Sequence, residues 1–483
     1  MQLSANIQNP TQKLWVYLRT KLLLFAVITQ CFCFFNSNAQ TPGSNDNTFN
    51  PGTGATNFVE ATAIQSDGKI IVGGSFMHFN GTPRNSIARI NDDGSLDGPF
   101  NPVTGIAYVR TISLQTDGKI IIGGRNFSFS NLVTRINTDG TLDGTYTPGS
   151  GPDSDVYSSL LQSDGKIIIG GGFTFYNGTA RNNIARLNSD GTLDGTFDPG
   201  LGANNGNTTS TIWTSALQSD GKIIIGGSFT LYNGVARNYI ARLSVDGTLD
   251  TTFDPGTGAN SFVYTSSIQS DGKIIIGGVF TTYNGIARNG IARLNTNGTL
   301  DLTFDPGTGA NNSVEAIQIQ GDGKIIIGGG FTSYNGVPRK NIARLNSDGT
   351  LDTNFDTSVG ANDVVYSAEI QSDGKIIIGG FFTSYDNVTR NCIARILVQN
   401  TVGVAEQEQS KNVIYNNSTN TLIVSECGNL VIYNMQGAKV KELKVNSQQV
   451  LSVSAEDLGG AGVYIWQLQT EKEVQRGKII IQE

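Results

Sequence analysis

One triplet, Asp-Gly-Lys, constrains this chain more than any other feature. It begins at Asp67, Asp117, Asp164, Asp220, Asp271, Asp322 and Asp373, so successive spacings are 50, 47, 56, 51, 51 and 51 residues. A unit near fifty residues cannot bury its apolar face alone. Recurring this regularly, it predicts a radial array of sheets that cover one another.

The unit starting at Val263 shows how each sheet is built. Val263 to Gln269 alternates and suits a first strand, and Ser270-Asp271-Gly272-Lys273 suits a tight hairpin turn in which Asp and Gly take positive φ. Ile274-Ile275-Ile276 is continuously apolar, as expected of a strand covered on both faces. A third strand follows at Ile291–Leu294, and a fourth at Leu300–Phe304 ends before Asp305-Pro306-Gly307, where Pro stops the ladder. Four strands per unit are expected.

The ends of the array predict its closure. The seventh unit reaches Ile393–Leu397 and lacks a fourth strand, whereas Asp46-Asn47-Thr48-Phe49-Asn50-Pro51-Gly52 near the N-terminus parallels Asp250 to Gly256. A ring whose last blade borrows its outer strand from the other end leaves no sheet edge exposed. The expected fold is therefore all-β: a seven-bladed β-propeller closed by an N-terminal strand.

These residues resemble the delta-60 repeat family of bacterial β-propellers, whose units carry similar Q-x-DGK-hydrophobic-GG and ARLN-x-DG-x-LD-x-F patterns. The resemblance runs from about residue 44 to residue 398 and implies a fold without a common activity. From Val404 the repeat stops, and short strands are expected around Ile414, Leu422, Val431, Gly462 and Lys478. This segment is similar to the type A C-terminal sorting domain of the type IX secretion system, which implies that secretion machinery as a partner. The alternative is a small β-sandwich that binds a ligand.

The N-terminus reads as a targeting segment. Lys13, Arg19 and Lys21 flank the apolar stretch Leu22 to Phe35, and Ser37 and Ala39 suit cleavage before Gln40. The stretch is short for a bilayer span. The expected organisation is a signal peptide at 1–39, the propeller at 40–398, a linker at 399–408, and a small β-sandwich-like domain at 409–483. Removing the three basic residues takes the formal net charge from −7 to −10, unsuited to nucleic acid or anionic membranes. Only Cys392 and Cys427 remain after cleavage, so a disulfide framework is not expected. The expected product is a secreted or surface-held monomer.

Composition leaves little material for catalysis. His78 is the single His, and within the repeats Glu occurs only at positions 60, 315 and 369. No Ser-His-Asp set can be assembled, and neither catalytic residues nor a cofactor are assigned. Residues 186–194, Arg-Leu-Asn-Ser-Asp-Gly-Thr-Leu-Asp, resemble a calcium loop at their third, fifth and ninth positions, but Arg186 stands at the first. Arg89, Arg135, Arg242, Arg293 and Arg344 also precede an Asp by eight residues, and Arg395 would face Asp46. A guanidinium–carboxylate contact is expected there in place of a metal.

The loop Tyr-Asn-Gly-x-x-Arg-Asn carries the candidate binding residues: Tyr176, Arg181, Tyr232, Arg237, Tyr283, Arg288, Tyr334 and Arg339, with Trp213 beside an insertion in the fourth unit. Tyr and Arg suit stacking on sugars or gripping polar polymers, although loops of this kind could instead cap the blades. Departures from symmetry, in the second and fourth units, mark where a specific site is expected. The reading that follows is a non-catalytic binding module for a glycan or protein. Its alternative is a secreted polysaccharide-active hydrolase or lyase.

Overall fold

The computed structural model describes residues 41–398 apart from 103–105, 127–130, 207–209, 356 and 358. Beyond these it describes 413–481 apart from 417–420, 425–426, 435–437, 447–448, 453–454, 459–461 and 471–473. The expected signal peptide and linker lie outside the described residues. Two compact units separate at residue 400.

The first unit is the seven-bladed propeller. Blade five is representative. Its inner strand Val263–Ile268 pairs with Ile274–Gly278, which pairs with Ile291–Leu294. The expected fourth strand contracts to a single bridge, Leu294 to Leu300, with Asp301 donating its backbone N–H to the Arg293 carbonyl at 2.9 Å. The Asp-Gly-Lys turn also differs from expectation, because only its Gly takes positive φ, 81° at Gly272. Asp271 instead accepts the Lys273 N–H at 3.1 Å, pinning a three-residue loop in which Gly supplies the left-handed step.

The first Gly of each Gly-Gly pair sets the spacing between blades. A Cβ on Gly277 would stand 2.7 Å from Thr265 and 2.8 Å from Val314, the first inner-strand residue of blade six. The relation repeats around the circle and ends with Gly379 against Val59, joining blade seven to blade one. Inner strands of neighbouring blades touch all the way round, including Val59–Ile64 with Val365–Ile370. Hydroxyls stitch several of these junctions, such as Thr62 to Ser367 at 3.1 Å and Thr214 to Ser266 at 2.9 Å.

Closure follows the sequence expectation. Asn45 bridges Ile396, and the Asp46 N–H donates to the Arg395 carbonyl at 2.7 Å, matching the blade-five bond between Asp301 and Arg293. Phe49 is fully buried in a cluster that includes Ile377 and Ile393 of blade seven and Val59 and Ile70 of blade one.

The repeated Arg–Asp pair is a buried clamp. Arg242 Nε donates to Asp250 at 2.8 Å, and the equivalent contacts in the other blades span 2.6–2.8 Å, ending with Arg395 to Asp46. Lys222, from the Asp-Gly-Lys turn, reaches the same Asp250 oxygen at 3.0 Å, and Thr252 donates its N–H and hydroxyl to the other oxygen. The arginine also donates to the Thr296 carbonyl in the next blade and covers the Phe253 ring at 5.1 Å. Burial alone would raise the Asp250 pKa. The bonds from Thr252, Lys222 and Arg242 overcome it and hold the carboxyl well below the usual carboxylate range.

The second unit carries two antiparallel sheets. One joins Val413–Asn416, Thr421–Val424 and Gln449–Ser452. The other orders Lys439–Val445, Gly428–Asn434, Gly462–Gln469 and Val474–Ile481. Val424 of the first packs with Leu430, Ile432, Tyr464, Trp466 and Leu468 of the second, and a short helix, Ala455–Leu458, adds Leu458.

The clamp and the closure make three predictions. Removing residues 41–52 strips Asp46 from Arg395 and Phe49 from its cluster, and aggregation or a large fall in melting temperature is expected on thermal scanning. Unchanged stability would refute closure. Arg242→Ala leaves Asp250 buried with Lys222 and Thr252, and should cost about 2–4 kcal/mol in denaturant unfolding. EDTA should leave the melting temperature of the wild type unchanged, because the site that calcium would need is filled by a guanidinium.

Candidate functional site

The recurrent Tyr-Asn-Gly-x-x-Arg-Asn segment is a minor hairpin with its own physical logic. In blade five, Thr282–Tyr283 pairs with Ile286–Ala287, and Asn284 and Gly285 take φ of 47° and 77°, the positive pair that a two-residue type I′ turn demands. Asn284 Oδ1 accepts from the Thr257 N–H at 3.2 Å, tying the hairpin to the preceding inter-blade loop. Tyr176, Tyr232, Tyr283 and Tyr334 are fully buried, and each hydroxyl donates to a glycine carbonyl, as Tyr283 does to Gly298 at 2.8 Å. These four tyrosines therefore present no ring to a ligand, contrary to the sequence expectation. Their recurrence comes from a repeated packing position.

The arginines of the motif are also turned inward. Arg288 and Arg339 are buried, Arg181 and Arg237 are half-buried, and each donates Nη1 to the carbonyl of the residue before it at 2.8 Å. Shallow clefts of about 340, 480 and 470 Å³ lie between neighbouring blades on this face. The first is lined by Asn238, Tyr239, Thr257 and Asn260. The second adds Val279 and Phe280 to its lining, and the third Phe381 and Cys392.

Chemistry that is not repeated gathers at one position. The inner-strand residue that bulges between the two residues paired with the Gly-Gly glycines is, from blade one to blade seven, Glu60, Arg110, Tyr157, Trp213, Tyr264, Glu315 and Tyr366. It is the second residue of its strand in every blade but the second, whose longer strand makes it the fifth. Each stands where the inner strand leaves the inter-blade loop, so the seven ring the propeller axis at its loop-bearing end. Their contacts run between blades. Arg110 Nη1 pairs with Glu60 at 3.1 Å, and its guanidinium covers Tyr108 at 4.1 Å and Tyr157 at 4.3 Å. Arg110 Nε also reaches Asp155 at 3.2 Å, and Arg125 grips the same carboxylate with bonds of 2.8 and 2.6 Å. Tyr108 donates its hydroxyl to Glu60.

The opposite arc is aromatic. Trp213 meets Phe262 and Tyr264 edge-on at 5.1 and 5.0 Å, and Tyr239 meets Phe262 at 5.8 Å. Phe58 carries the first arc on to blade seven, contacting Tyr108, Tyr366 and Phe381, and Phe262 and Phe381 keep 37% and 48% of their surface exposed. Trp213 is the one residue of the sequence-predicted set that the structure places in this ring. Glu60 and Glu315 were visible in the sequence as rare acids, but only the shared register brings them together.

Blade two supplies much of the asymmetry. Its inner strand lengthens to Ile106–Leu114 and its second strand to Ile120–Asn126, which carries Tyr108 and Arg125 to the mouth. The tip of that hairpin, Phe127 to Ser130, lies outside the described residues, as does 207–209 of the fourth-blade insertion. Within that insertion, Ala203–Asn204 forms a strand that pairs with Leu231–Tyr232 of the minor hairpin.

Burial sets the electrostatics of the mouth. It pushes Glu315 up to about 7, against a hydrogen bond from Ser313 and helped by the charge of Glu60. Burial also raises Glu60, outweighing Arg110 and the Tyr108 hydroxyl, and, three residues past Tyr366 along the blade-seven inner strand and away from the mouth, raises Glu369 to about 7. Glutamates with raised folded-state values bind protons more tightly when folded. Their contribution is fully present below the unfolded value near 4.5 and is lost as pH rises toward 7. The clamped aspartates work the other way, losing their contribution as pH falls below about 3.8. Melting temperature should therefore peak near pH 5 and decline toward pH 7.5, with a smaller decline in Glu315→Gln. A flat profile for both proteins from pH 5 to 7.5 would show that these carboxyls are not shifted.

Comparisons with known proteins agree with this architecture. The family described as domain of unknown function (DUF5122) beta-propeller matches residues 65–100, 115–146, 162–197, 218–253, 269–304, 320–355 and 371–398, so the chain carries seven repeats of that family. Residues 409–482 match the secretion system C-terminal sorting domain, which directs type IX secretion to the outer surface or the medium. No curated protein matches the sequence. Similar solved structures include PorZ, an essential bacterial surface component of the type IX secretion system of Porphyromonas gingivalis, at 11% identity and a TM-score of 0.40. That alignment covers 88% of this chain and 66% of PorZ. YCF48 bound to D1 peptide aligns at 11% identity and a TM-score of 0.45, covering 75% of this chain and 99% of that one. A gluconolactonase, XC5397 from Xanthomonas campestris, aligns at 11% and 0.36, covering 74% and 100%. No helix among the described residues is long and apolar enough to cross a membrane.

Proposed function

We propose that this protein, with seven propeller repeats and a secretion sorting tail, is an exported, monomeric binding module that holds a glycan or protein ligand at its axial mouth. One observation carries the reading. Blades that are near copies elsewhere present seven inner-strand residues with no repeating pattern at the axis, six of them aromatic or acidic and only half-buried. Packing and closure do not require such variety, since the repeated glycines, clamps and buried tyrosines already hold the ring. Ligand recognition does. The type IX machinery is the second partner, engaged through residues 409–483.

A hydrolase or lyase is the second reading, and Glu315 is what favours it, because a carboxyl titrating near 7 suits a general acid. Release of reducing ends or unsaturated products from a polysaccharide panel, lost in Glu315→Gln, would establish that reading over binding alone.

The binding reading is tested with the mature full chain on glycan and surface-protein arrays. Trp213→Ala and Tyr264→Ala should weaken retention of any captured ligand by tenfold or more, about 1.4 kcal/mol. Ligands retained equally by both variants would place the site elsewhere. The export reading has its own check: a chain ending at residue 408 should accumulate in the periplasm as folded propeller, while the full chain reaches the surface or medium. Equal export of both would remove the sorting role from the tail.

A further inference from the structure

The two arcs of the axial mouth have the same ingredients and differ in one. On the blade-one-to-three side, aromatic rings and carboxylates enclose a cation: Arg110 lies over Tyr108 and Tyr157 and pairs with Glu60 and Asp155. On the blade-four-to-six side, Trp213, Phe262 and Tyr264 form a cluster of rings, and Glu315 stands at the next ring position. Burial raises the Tyr264 hydroxyl, and the Glu315 charge raises it further, so the carboxyl lies within electrostatic reach of that ring. Among the described residues, the charged group that acts on Glu315 is Glu60, a like charge, and no arginine or lysine stacks on the rings of this arc as Arg110 stacks on the other.

We propose that the Trp213–Phe262–Tyr264 arc with Glu315 is a receptor for a cationic group, a guanidinium or ammonium presented by a ligand, held as the fold itself holds Arg110. Resting on the reading of the mouth as a ligand site, this names the chemistry that the site takes. A cation placed against these ring faces gains quadrupole attraction, which increases as water is excluded. It also neutralises a carboxylate that burial otherwise disfavours. The mature chain's net negative charge draws such groups toward the mouth. The cation can arrive on a basic side chain of a protein or as a free amine, and the chemistry is shared.

The experiment uses the mature full chain and follows Trp213 fluorescence, with Trp213→Phe identifying the signal that belongs to Trp466. Three probes are titrated to the order of tens of millimolar: arginine amide as the free cation, an acetylated Gly-Arg-Gly peptide amide as the protein-borne one, and the neutral tetrasaccharide cellotetraose. Saturable quenching by one or both cationic probes is expected. It should weaken about tenfold in Glu315→Gln and fall with added salt, with cellotetraose inactive. Preference for the peptide over the amide assigns the source to a protein, and the reverse to a small amine. Glu315→Gln removes a buried charge and should fold normally, which an unchanged melting temperature at pH 7.5 or an increase verifies. Glu315→Asp, which keeps the charge, should retain binding. Quenching by cellotetraose that Glu315→Gln does not change would overturn the cationic assignment while leaving the mouth as a binding site. Response to none of the probes would also overturn it, leaving the array experiment to decide whether the mouth binds anything.

Discussion

The clamp around Asp250 and its counterparts is the interaction on which the ring depends. One carboxylate gathers an arginine from the third strand, a lysine from the first hairpin and a threonine two residues ahead. The outer edge of each blade is otherwise attached by a single bridge, as at Leu294 and Leu300. An edge that weakly paired would fray and offer itself to other chains. A buried ion pair contributes little net stability unless its remaining bonding capacity is filled, and here both carboxylate oxygens are bonded. The same arginine donates to a carbonyl in the next blade, as Arg186 does to Val245 at 2.6 Å. The clamp therefore fixes the outer edge and the junction between blades at once.

The ring also depends on the clamp closing on itself. Asp46 supplies to Arg395 what Asp301 supplies to Arg293, and Arg395 reaches onward to the Asp92 carbonyl in blade one at 2.5 Å. Blade seven is thereby made of both ends of the propeller. Unfolding either end removes a partner from a buried arginine, which couples local fraying to global stability. The glycine of each Gly-Gly pair performs the matching task near the axis, because any side chain at Gly379 would meet Val59.

Much of this was legible in the sequence. The period, the displaced Asp46 segment and the Arg-to-Asp spacing of eight residues predicted seven blades, their closure and the clamp. The lysine's part in the clamp was not legible, because Lys222 and Asp250 are far apart in the chain and meet only after strands one to three have folded. The tyrosines misled for a physical reason. Tyr-Asn-Gly reads equally as an exposed loop and as a type I′ hairpin, and only the full burial of Tyr283 and the bond from its hydroxyl to the Gly298 carbonyl show that the ring faces inward. The axial residues were the hardest to find. Glu60, Arg110 and Trp213 share no type, so nothing in composition or periodicity groups them until the inner strands are in register.

That contrast between repetition and variety is itself informative about function. A repeat spreads by copying, and positions bound by packing stay alike: the Ile-Ile-Ile strands, the Gly-Gly pairs and the buried tyrosines. Where a side chain meets neither a neighbouring sheet nor a clamp, the fold does not dictate its identity. The bulged inner-strand position is such a place, since its neighbours include the same position in adjacent blades. Glu60 with Arg110 and Trp213 with Tyr264 show what the ring has made of that freedom: an internally neutralised half and an aromatic half bordered by an acid. A purely structural plug would be filled more simply by one small or apolar residue repeated seven times. Charges brought into a poorly solvated mouth cost free energy that packing does not return, and such a cost is tolerated where a site must distinguish one ligand from another.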